Sequence, residues 1–298
     1  MHLREGSVAF CFILRAGLFL ARVLPVRWCL AAGAGLGRLA GRLSPRRDVV
    51  ARNLAAIAAA GGRGGARPGD VFAAYGRYWA EFLVLAARPD QLERWPLRVE
   101  GREHLERATW RGPICVLSAH LGNWDLLSAW LARCLPGFTV TAERLEPPRL
   151  FALCRWMRER GGTRVLPAEG PGLTLFRRLR AGAAIGLMAD RPFGHGVAGG
   201  RGQRPVEMLG GRRWLPSAGL DLARRAGASL LPVFLVREAG GYAVKVRPPL
   251  PADADPVSAF AAVLEEELRE HPEQWVVLYP LHDAAVTSIP RARGAVAS

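Results

Sequence analysis

One short stretch of the chain combines residue types that could carry acid–base chemistry. Residues 118–125 read Ser-Ala-His-Leu-Gly-Asn-Trp-Asp and follow an apolar run that ends near His120. Gly122 permits a tight turn, and Asn123 is a favoured cap for a following helix. Asp125 would then lie in the first helical turn, where the helix dipole stabilises a negative charge. The order of strand, turn and helix predicts that Asp125 folds back towards the His120 imidazole.

A histidine beside a carboxylate is suited to general-base catalysis, and the sequence limits what it could act on. No G-x-S-x-G elbow supplies a serine nucleophile, and no Walker A motif precedes Lys245, the single lysine. The five cysteines occur in no motif that marks a nucleophile or a zinc site. Such a base would deprotonate a hydroxyl of the substrate itself, without a metal or a cofactor. The alternative is a core histidine that a helix-capping aspartate satisfies.

The elements that must position these residues alternate along the chain. Short apolar runs predict strands at 114–119, 138–142, 164–166, 184–189, 230–236, 242–247 and 275–279. Amphipathic runs predict helices at 44–60, 70–87, 123–134, 148–160, 172–180, 215–226 and 256–270. This alternation predicts an α/β fold with a mostly parallel central sheet flanked by helices. Ligands bind at the carboxyl edge of such a sheet, which is where His120 would lie.

The N-terminal segment is both apolar and basic. Residues 7–24 and 26–43 are apolar runs separated by Pro25, and arginines such as Arg15 and Arg22 interrupt them. A membrane-spanning helix needs about 20 apolar residues, so neither run is long enough to span. We therefore predict helices that lie in the headgroup plane of a membrane. A helix of the core with snorkelling arginines is the alternative.

The distribution of charge bears on the class of partner. The net charge is +15, and the arginines of residues 1–52 occur among apolar residues, which favours an anionic membrane surface. A nucleic-acid-binding protein, for which a polar basic face is typical, is a competing interpretation. Cysteines without a disulfide pattern favour the cytoplasmic side. We divide the chain into an interfacial helical segment (1–43), a catalytic domain (44–288) and a flexible tail (289–298).

Several short sequence motifs, here called boxes, occur in a fixed order along the chain. They include the H-x4-D box at 120–125, AERL at 142–145, MADR at 188–191 and glycine- and leucine-rich boxes between 209 and 232. Residues 45–282 thereby resemble the bacterial lipid A (lauroyl/myristoyl) acyltransferase family, and within it the phosphatidylinositol mannoside acyltransferases. The segments YGRYW and HPEQW fit the same branch.

The resemblance implies a glycerolipid acyltransferase-like α/β fold with membrane-associated helices. The donor would be acyl-CoA or acyl-carrier protein. The acceptor would be a hydroxyl of a lipid-linked sugar, either a phosphatidylinositol mannoside or a lipid A-like glycolipid. The enzyme would act at the cytoplasmic face of the plasma (inner) membrane, as a peripheral or monotopic protein in contact with membrane lipids and without nucleic acid. A lipid ester hydrolase is the alternative within the same chemistry.

The resemblance also assigns roles to individual residues. His120 is the general base, and Asp125 orients and charges it. Asp190 falls at an active-site position where the family usually has glutamate. Backbone N–H groups near the start of the following helix would hold the oxyanion. The predicted substrate-binding residues are Glu143, Arg144, Arg158 and Arg191, and no metal site is predicted.

Overall fold

The central feature of the molecule is a seven-stranded sheet with helices on both faces. The computed structural model describes residues 3–168, 170, 172–191 and 199–280, with side chains from residue 10 onwards. The strands are β1 (Leu97–Glu100), β2 (Ile114–Ser118), β3 (Thr139–Ala142), β4 (Arg164–Pro167), β5 (Ala184–Met188), β6 (Gln203–Met208), β7 (Gly211–Pro216), β8 (Ser229–Glu238) and β9 (Gly241–Val246). The strand order in the sheet is β1-β9-β8-β2-β5-β3-β4, and β6 and β7 form a separate hairpin. Every neighbouring pair in the large sheet is parallel except β8 and β9. The predicted fold class is confirmed.

The helices cover the two faces of the sheet, and the first two helices pack on the fourth. They are α1 (Leu3–Val23), α2 (Val26–Leu43), α3 (Arg47–Ala59), α4 (Pro68–Ala87), α5 (Gln91–Arg94), α6 (Arg102–Arg111), α7 (Trp124–Cys134), α8 (Pro148–Arg160), α9 (Gly172–Arg180), α10 (Ala218–Arg225) and α11 (Pro256–Glu270), with a short 3-10 helix at Pro272–Gln274. None of the helices that the structure describes has both the length and the apolarity to cross a bilayer.

Strand β2 occupies the middle of the sheet, and all five of its residues are buried. Its side chains alternate between two hydrophobic cores, as a strand requires. Cys115 and Leu117 join the core beneath α9, α10 and α11. Ile114 and Val116 join the core beneath α4 and α7. A strand buried on both faces reads as a continuous apolar run, which is why the sequence revealed it.

The N-terminal helices pack on α4 rather than on the sheet. Helix α2 lies so close to α4 that a Cβ added to Gly37 would lie 2.2 Å from the carbonyl oxygen of Phe72. A Cβ at Gly76 would lie 2.1 Å from the carbonyl oxygen of Gly33. Glycine at these positions allows the two backbones to touch. Whether residues 1–43 form a separate domain stays a prediction, and the predicted tail lies outside the described residues.

The structure adds α5, β1, α6 and β6, which were not predicted, and two of the predicted elements differ from the observed ones. The segment predicted as a strand at 275–279 makes one antiparallel bridge, between Trp275 and Leu121, because it crosses the turn after β2 instead of running beside a strand. The start of the helix predicted at 215–226 belongs to β7. The hairpin of β6 and β7 turns at Leu209 and Gly210, whose φ angles are 52° and 77°. Two consecutive positive φ angles suit a tight hairpin, but the arginine- and glycine-rich sequence reads as a loop.

Candidate active site

The turn that carries His120 is fixed by backbone hydrogen bonds from two neighbouring segments. The N–H of Gly122 donates to the carbonyl of Gln274 at 3.0 Å, and the N–H of Asn123 donates to the carbonyl of Leu235 at 3.0 Å. The N–H of Val276 donates to the carbonyl of His120 at 2.8 Å. Gly122 has a φ of 63°, and a Cβ there would lie 1.8 Å from the Leu235 carbonyl oxygen, so only glycine fits. These contacts fix the backbone at His120 and therefore the direction in which its imidazole points from the end of β2.

Asp190 is the carboxylate that contacts the His120 imidazole. It follows β5, which pairs with β2, so both residues lie at the carboxyl edge of the sheet. His120 Nδ1 lies 2.8 Å from Asp190 Oδ1, and the backbone N–H of His120 donates to Oδ2 at 3.0 Å. The expected proximity of these two residues, 70 positions apart in the chain, is confirmed. Because a carboxylate accepts, Nδ1 carries the proton and Nε2 is left as the nitrogen that can act as a base.

Two further side chains hold Asp190 in place. The indole Nε1–H of Trp275 donates to Asp190 Oδ2 at 3.0 Å, and the guanidinium of Arg213 donates to the backbone carbonyl of Asp190 at 2.9 Å. Asp190 is fully buried. Burial by itself would raise the pKa of Asp190, but the charge and hydrogen bonds of His120 and the bond from Trp275 outweigh it and lower that pKa. The carboxylate is thus kept ionised beside the imidazole.

The predicted contact between Asp125 and His120 is not what the structure contains. The Asp125 carboxylate is buried and accepts from Arg158 Nε at 2.7 Å and from the hydroxyl of Tyr78. The first turn of α7 directs Asp125 towards α4 and α8, and among the described residues its carboxylate accepts no hydrogen bond from the imidazole. The Trp124 ring contacts both the Tyr78 ring and the imidazole: it is stacked on Tyr78 at 4.0 Å and edge-on to His120 at 4.9 Å between ring centroids.

Burial also shifts the pKa values of Tyr78 and Arg158, the two side chains that donate to Asp125. Burial raises the pKa of Tyr78 well above its usual value, and the Asp125 charge raises it further. Burial would lower the pKa of Arg158, but the charge of Asp125 and its hydrogen bond with Arg158 outweigh burial and raise that pKa. A neutral phenol, a carboxylate and a guanidinium therefore share one buried network. The network joins α4, α7 and α8 beside the site and gives Arg158 a fixed position.

The start of α7 is capped in a way that bears on the predicted oxyanion site. Asn123 Oδ1 accepts from the N–H groups of Asp125 at 3.1 Å and Leu126 at 3.0 Å. The N–H groups of Gly122 and Asn123 are also used, as described above. These four amides therefore already have partners within the protein, and an oxyanion site at the start of α7 stays a prediction.

A buried carboxylate on α4 supports the same cap. Glu81 is fully buried and accepts from Asn123 Nδ2 at 2.7 Å and from the Tyr242 hydroxyl at 2.8 Å. Arg237 donates to both of its oxygens, at 2.8 and 2.6 Å, and Arg77 donates at 2.9 Å. Burial would raise the pKa of Glu81, but Arg237, Asn123 and Arg77 lower it. Glu81 thus connects α4 and β8 to the turn at residues 120–123, which we call the catalytic turn because it carries the candidate base His120.

A cavity of about 150 Å³ opens beside the imidazole, between the sheet and α7. Of the predicted site residues, it is lined by His120, Asp125, Glu143, Arg158 and Arg191. Arg191 donates to Glu143 at 2.8 Å at the mouth of the cavity. Asp190 lies behind the imidazole, and Arg144 is exposed in the loop next to Glu143. Deeper in, the lining side chains are apolar: Val116, Leu127, Leu131, Phe138 and Val140.

Several residues of the site had no predicted role. Tyr78 and Trp275 stand in the YGRYW and HPEQW segments, which marked the family but did not indicate contacts with Asp125 and Asp190. Arg213 belongs to a stretch that reads as a basic loop, yet it is 4% exposed and packs over the Trp275 ring at 5.0 Å. Glu81 was not among the predicted site residues, although the sequence around it carries a signal. A charged residue in the middle of an apolar helix face is the pattern that could have revealed it.

A cluster of potential metal ligands lies away from the cavity. Glu267, Glu270 and His271 each offer a ligand atom within 4.8 Å of the others. The Lys245 ammonium lies among them, at 3.3 Å from Glu267 Oε2, 2.5 Å from Glu270 Oε2 and 3.2 Å from His271 Nε2. A lysine in that place supplies the positive charge that a cation would otherwise bring, so we interpret this cluster as an ion-pair network.

Two comparisons with known proteins show the family of the chain. A sequence profile described as bacterial lipid A biosynthesis acyltransferase matches residues 1–282. The chain belongs to this family. It is also similar to a phosphatidylinositol mannoside acyltransferase of Mycolicibacterium smegmatis (strain ATCC 700084 / mc(2)155), with 31% identity over 296 residues and 93% of each chain covered. The resemblance inferred from the boxes is confirmed. The protein is an acyltransferase of lipid biosynthesis, which decides between acyl transfer and the hydrolase and nucleic-acid-binding alternatives.

Proposed function

We propose that this acyltransferase moves a fatty acyl group from a thioester, carried by CoA or acyl-carrier protein, to a hydroxyl of a lipid-linked sugar. The observation that carries the proposal is the position of the His120–Asp190 pair at the mouth of an apolar cavity. The cavity suits an acyl chain, because burial of methylene groups is favourable. Among the described residues no serine or cysteine side chain is hydrogen-bonded to the imidazole, which suits direct transfer to a substrate hydroxyl.

The proton transfers follow from the tautomer of His120. As the acceptor oxygen attacks the thioester carbonyl carbon, His120 Nε2 takes the hydroxyl proton. The Asp190 carboxylate stabilises the imidazolium through Nδ1. When the tetrahedral intermediate collapses, the carbon–sulfur bond breaks and the leaving thiolate takes the proton from Nε2. An ester and a free thiol result, and the steps use neither a metal nor a cofactor.

The acceptor class is supported by the similar mycolicibacterial protein, whose name states that it acylates phosphatidylinositol mannoside. Arg191 and the exposed Arg144 stand at or beside the mouth of the cavity. Guanidinium groups bind phosphate well, which suits an acceptor or a donor that carries phosphate groups. We therefore propose a phosphatidylinositol mannoside or a lipid A-like glycolipid as the acceptor.

A membrane-facing surface is supported by α1 and α2. Large apolar side chains on their outer faces are exposed: Phe12, Ile13, Phe19, Leu20, Val23, Trp28, Leu36, Leu39 and Leu43. The exposed arginines Arg15, Arg22, Arg27 and Arg42 lie among them. Apolar and cationic side chains on one exposed surface are typical of helices that lie in a membrane interface. We propose that this surface rests on the cytoplasmic leaflet of the plasma (inner) membrane as a peripheral or monotopic contact.

The test is a transfer assay with labelled donors. Purified enzyme is incubated with a host lipid extract and either labelled acyl-CoA or labelled acyl-carrier protein, and the labelled lipid is identified by mass spectrometry. We expect the label in an ester on a glycolipid sugar. His120→Ala should lower the rate by about 10²–10⁴-fold.

Two results would contradict the proposal. Release of free fatty acid without any labelled lipid would indicate a hydrolase. Full activity of His120→Ala would remove the general base from the account, provided that the variant melts at the wild-type temperature.

A further inference from the structure

The inner part of the cavity has a floor made by three neighbouring strands. Gly186 of β5 is in register with Val116 of β2 on one side and with Val140 of β3 on the other. All three residues line the cavity. The valine side chains lie on the face of the sheet that α7 covers. Gly186 therefore leaves a gap in the row where a side chain would otherwise stand.

The gap is filled from the side by Phe138. A Cβ added at Gly186 would lie 2.7 Å from Phe138 Cζ and 3.1 Å from Val140 Cγ1. The tip of the phenyl ring thus rests directly on the bare backbone of β5. Phe138 is 1% exposed, and its N–H donates to the carbonyl of Leu135 at 3.0 Å, which fixes the start of β3. The ring is held by its surroundings rather than free to swing.

The lining changes in character from the mouth to this ring. Asp125 and Ser128 of α7 lie near the mouth, and Leu131 lies a turn further along the helix. Helix α7 starts at the catalytic edge of the sheet, so later residues of the helix lie deeper. On the strand side, Ser118 is followed inwards by Val116. An acyl chain that entered beside His120 would pass the polar side chains at the mouth and then reach the Phe138 ring.

We propose that Phe138, seated on Gly186, sets the length of the acyl chain that the enzyme accepts. The inference rests on the proposed function, since it concerns the donor chain of that reaction. The ring forms the inner wall against which the terminal methyl group stops. A donor with further methylenes would have to displace a buried ring, and a shorter donor would leave the space against the ring unfilled. Both mismatches weaken binding in the transition state.

Two substitutions move this wall in opposite directions. Gly186→Ala introduces a methyl group that the ring cannot tolerate at 2.7 Å, so the ring must shift off the strand and into the cavity. Phe138→Leu removes the ring tip and extends the cavity. We expect Gly186→Ala to favour shorter donors and Phe138→Leu to favour longer ones. Each methylene gained or lost should change the ratio of kcat/KM by about fourfold.

The experiment is a competition among donors. Enzyme is incubated with an equimolar series of saturated acyl-CoA esters of even chain length from octanoyl to stearoyl, or with the same series on acyl-carrier protein. The product distribution is read by mass spectrometry. Phe260→Leu is the matched control, because Phe260 is a fully buried phenylalanine in the other core and does not line the cavity. It should alter stability without a change in the chain-length distribution.

The outcomes separate the inference from the proposed function. If the wild-type enzyme transfers no acyl group from any thioester, the proposed function fails. If the wild-type enzyme transfers acyl groups, opposite shifts in the two variants support the assignment. It is overturned if both variants lose activity equally at every chain length, or if Phe260→Leu shifts the distribution as much as Phe138→Leu.

Discussion

Asp190 and Asp125 are both buried carboxylates near His120, but they differ in their hydrogen-bond partners. Asp190 accepts from His120 twice and from Trp275, whereas Asp125 accepts from Arg158 and Tyr78. Asp190 can therefore stabilise a positive imidazole directly. Asp125 also lines the cavity, but its hydrogen-bond partners indicate that it acts through the position of Arg158 and the first turn of α7.

The depressed pKa of Asp190 predicts how stability depends on pH. An unfolded aspartate has a pKa of about 3.9, and the folded value is lower. The stabilisation is therefore complete above the unfolded pKa and is lost as the pH falls towards the folded pKa. We expect acidification below about pH 4 to lower the melting temperature of the wild-type protein more steeply than that of Asp190→Asn. Parallel curves for the two proteins across this range would contradict the assignment.

Helix α4 positions the catalytic turn at two points along its length. Tyr78 reaches Asp125 and, one turn later, Glu81 reaches Asn123. Both targets lie at the start of α7, directly after His120. The fixed direction of the imidazole thus depends on a helix that contributes no residue to the proposed chemistry.

Glu81→Gln should expose this dependence. The substitution keeps the shape but removes the charge between Arg77 and Arg237, which should cost roughly 3–5 kcal/mol of stability. Glu267→Gln is a matched control, because Glu267 is also fully buried and pairs with Arg247, but it makes no contact with the catalytic turn. Both variants should melt at lower temperature. Acyl transfer, measured below both melting temperatures, should fall only in Glu81→Gln.

Equal loss of activity in the two variants would mean that Glu81 acts through global stability. Full activity of Glu81→Gln would show that the cap of α7 does not depend on it.

At the scale of the whole molecule, the sequence predicted the strands and helices better than it predicted the contacts between residues of different elements. Buried parallel strands such as β2 are continuous apolar runs, and the Asn123 cap follows a known preference, so both were predicted. The pairing of His120 with Asp190 rather than Asp125 depends on which strands are neighbours and on the direction of the first turn of α7. Neither is encoded in local spacing; only the family resemblance pointed to Asp190. The β6–β7 hairpin and the buried role of Arg213 had no local signal either.

The exposed apolar side chains of α1 and α2 allow a test of membrane association that leaves the fold intact. Removing the two helices would uncover α4, so single substitutions are preferable. Phe19→Asp and Leu36→Asp place a charge on the proposed membrane surface, where the native side chains are 64% and 68% exposed. Both should reduce sedimentation with anionic phospholipid vesicles, with little change in melting temperature.

Trp110→Asp is the control, because Trp110 is 89% exposed but lies on α6, outside this surface. It should leave vesicle binding unchanged. An equal loss of binding in all three variants would assign membrane contact to general hydrophobicity rather than to α1 and α2.

The most direct test of the central claim, that Asp190 is the carboxylate partner of the His120 base, compares Asp190→Asn with Asp125→Asn in the same acyl-transfer assay. Asparagine keeps the shape of each side chain and removes its charge. We expect Asp190→Asn to lower kcat by about 10²–10⁴-fold, because the imidazolium loses its counter-charge. Asp125→Asn should mainly change KM and melting temperature, because it releases Arg158 and leaves the base intact. Loss of kcat in Asp125→Asn together with near-normal kcat in Asp190→Asn would contradict the account.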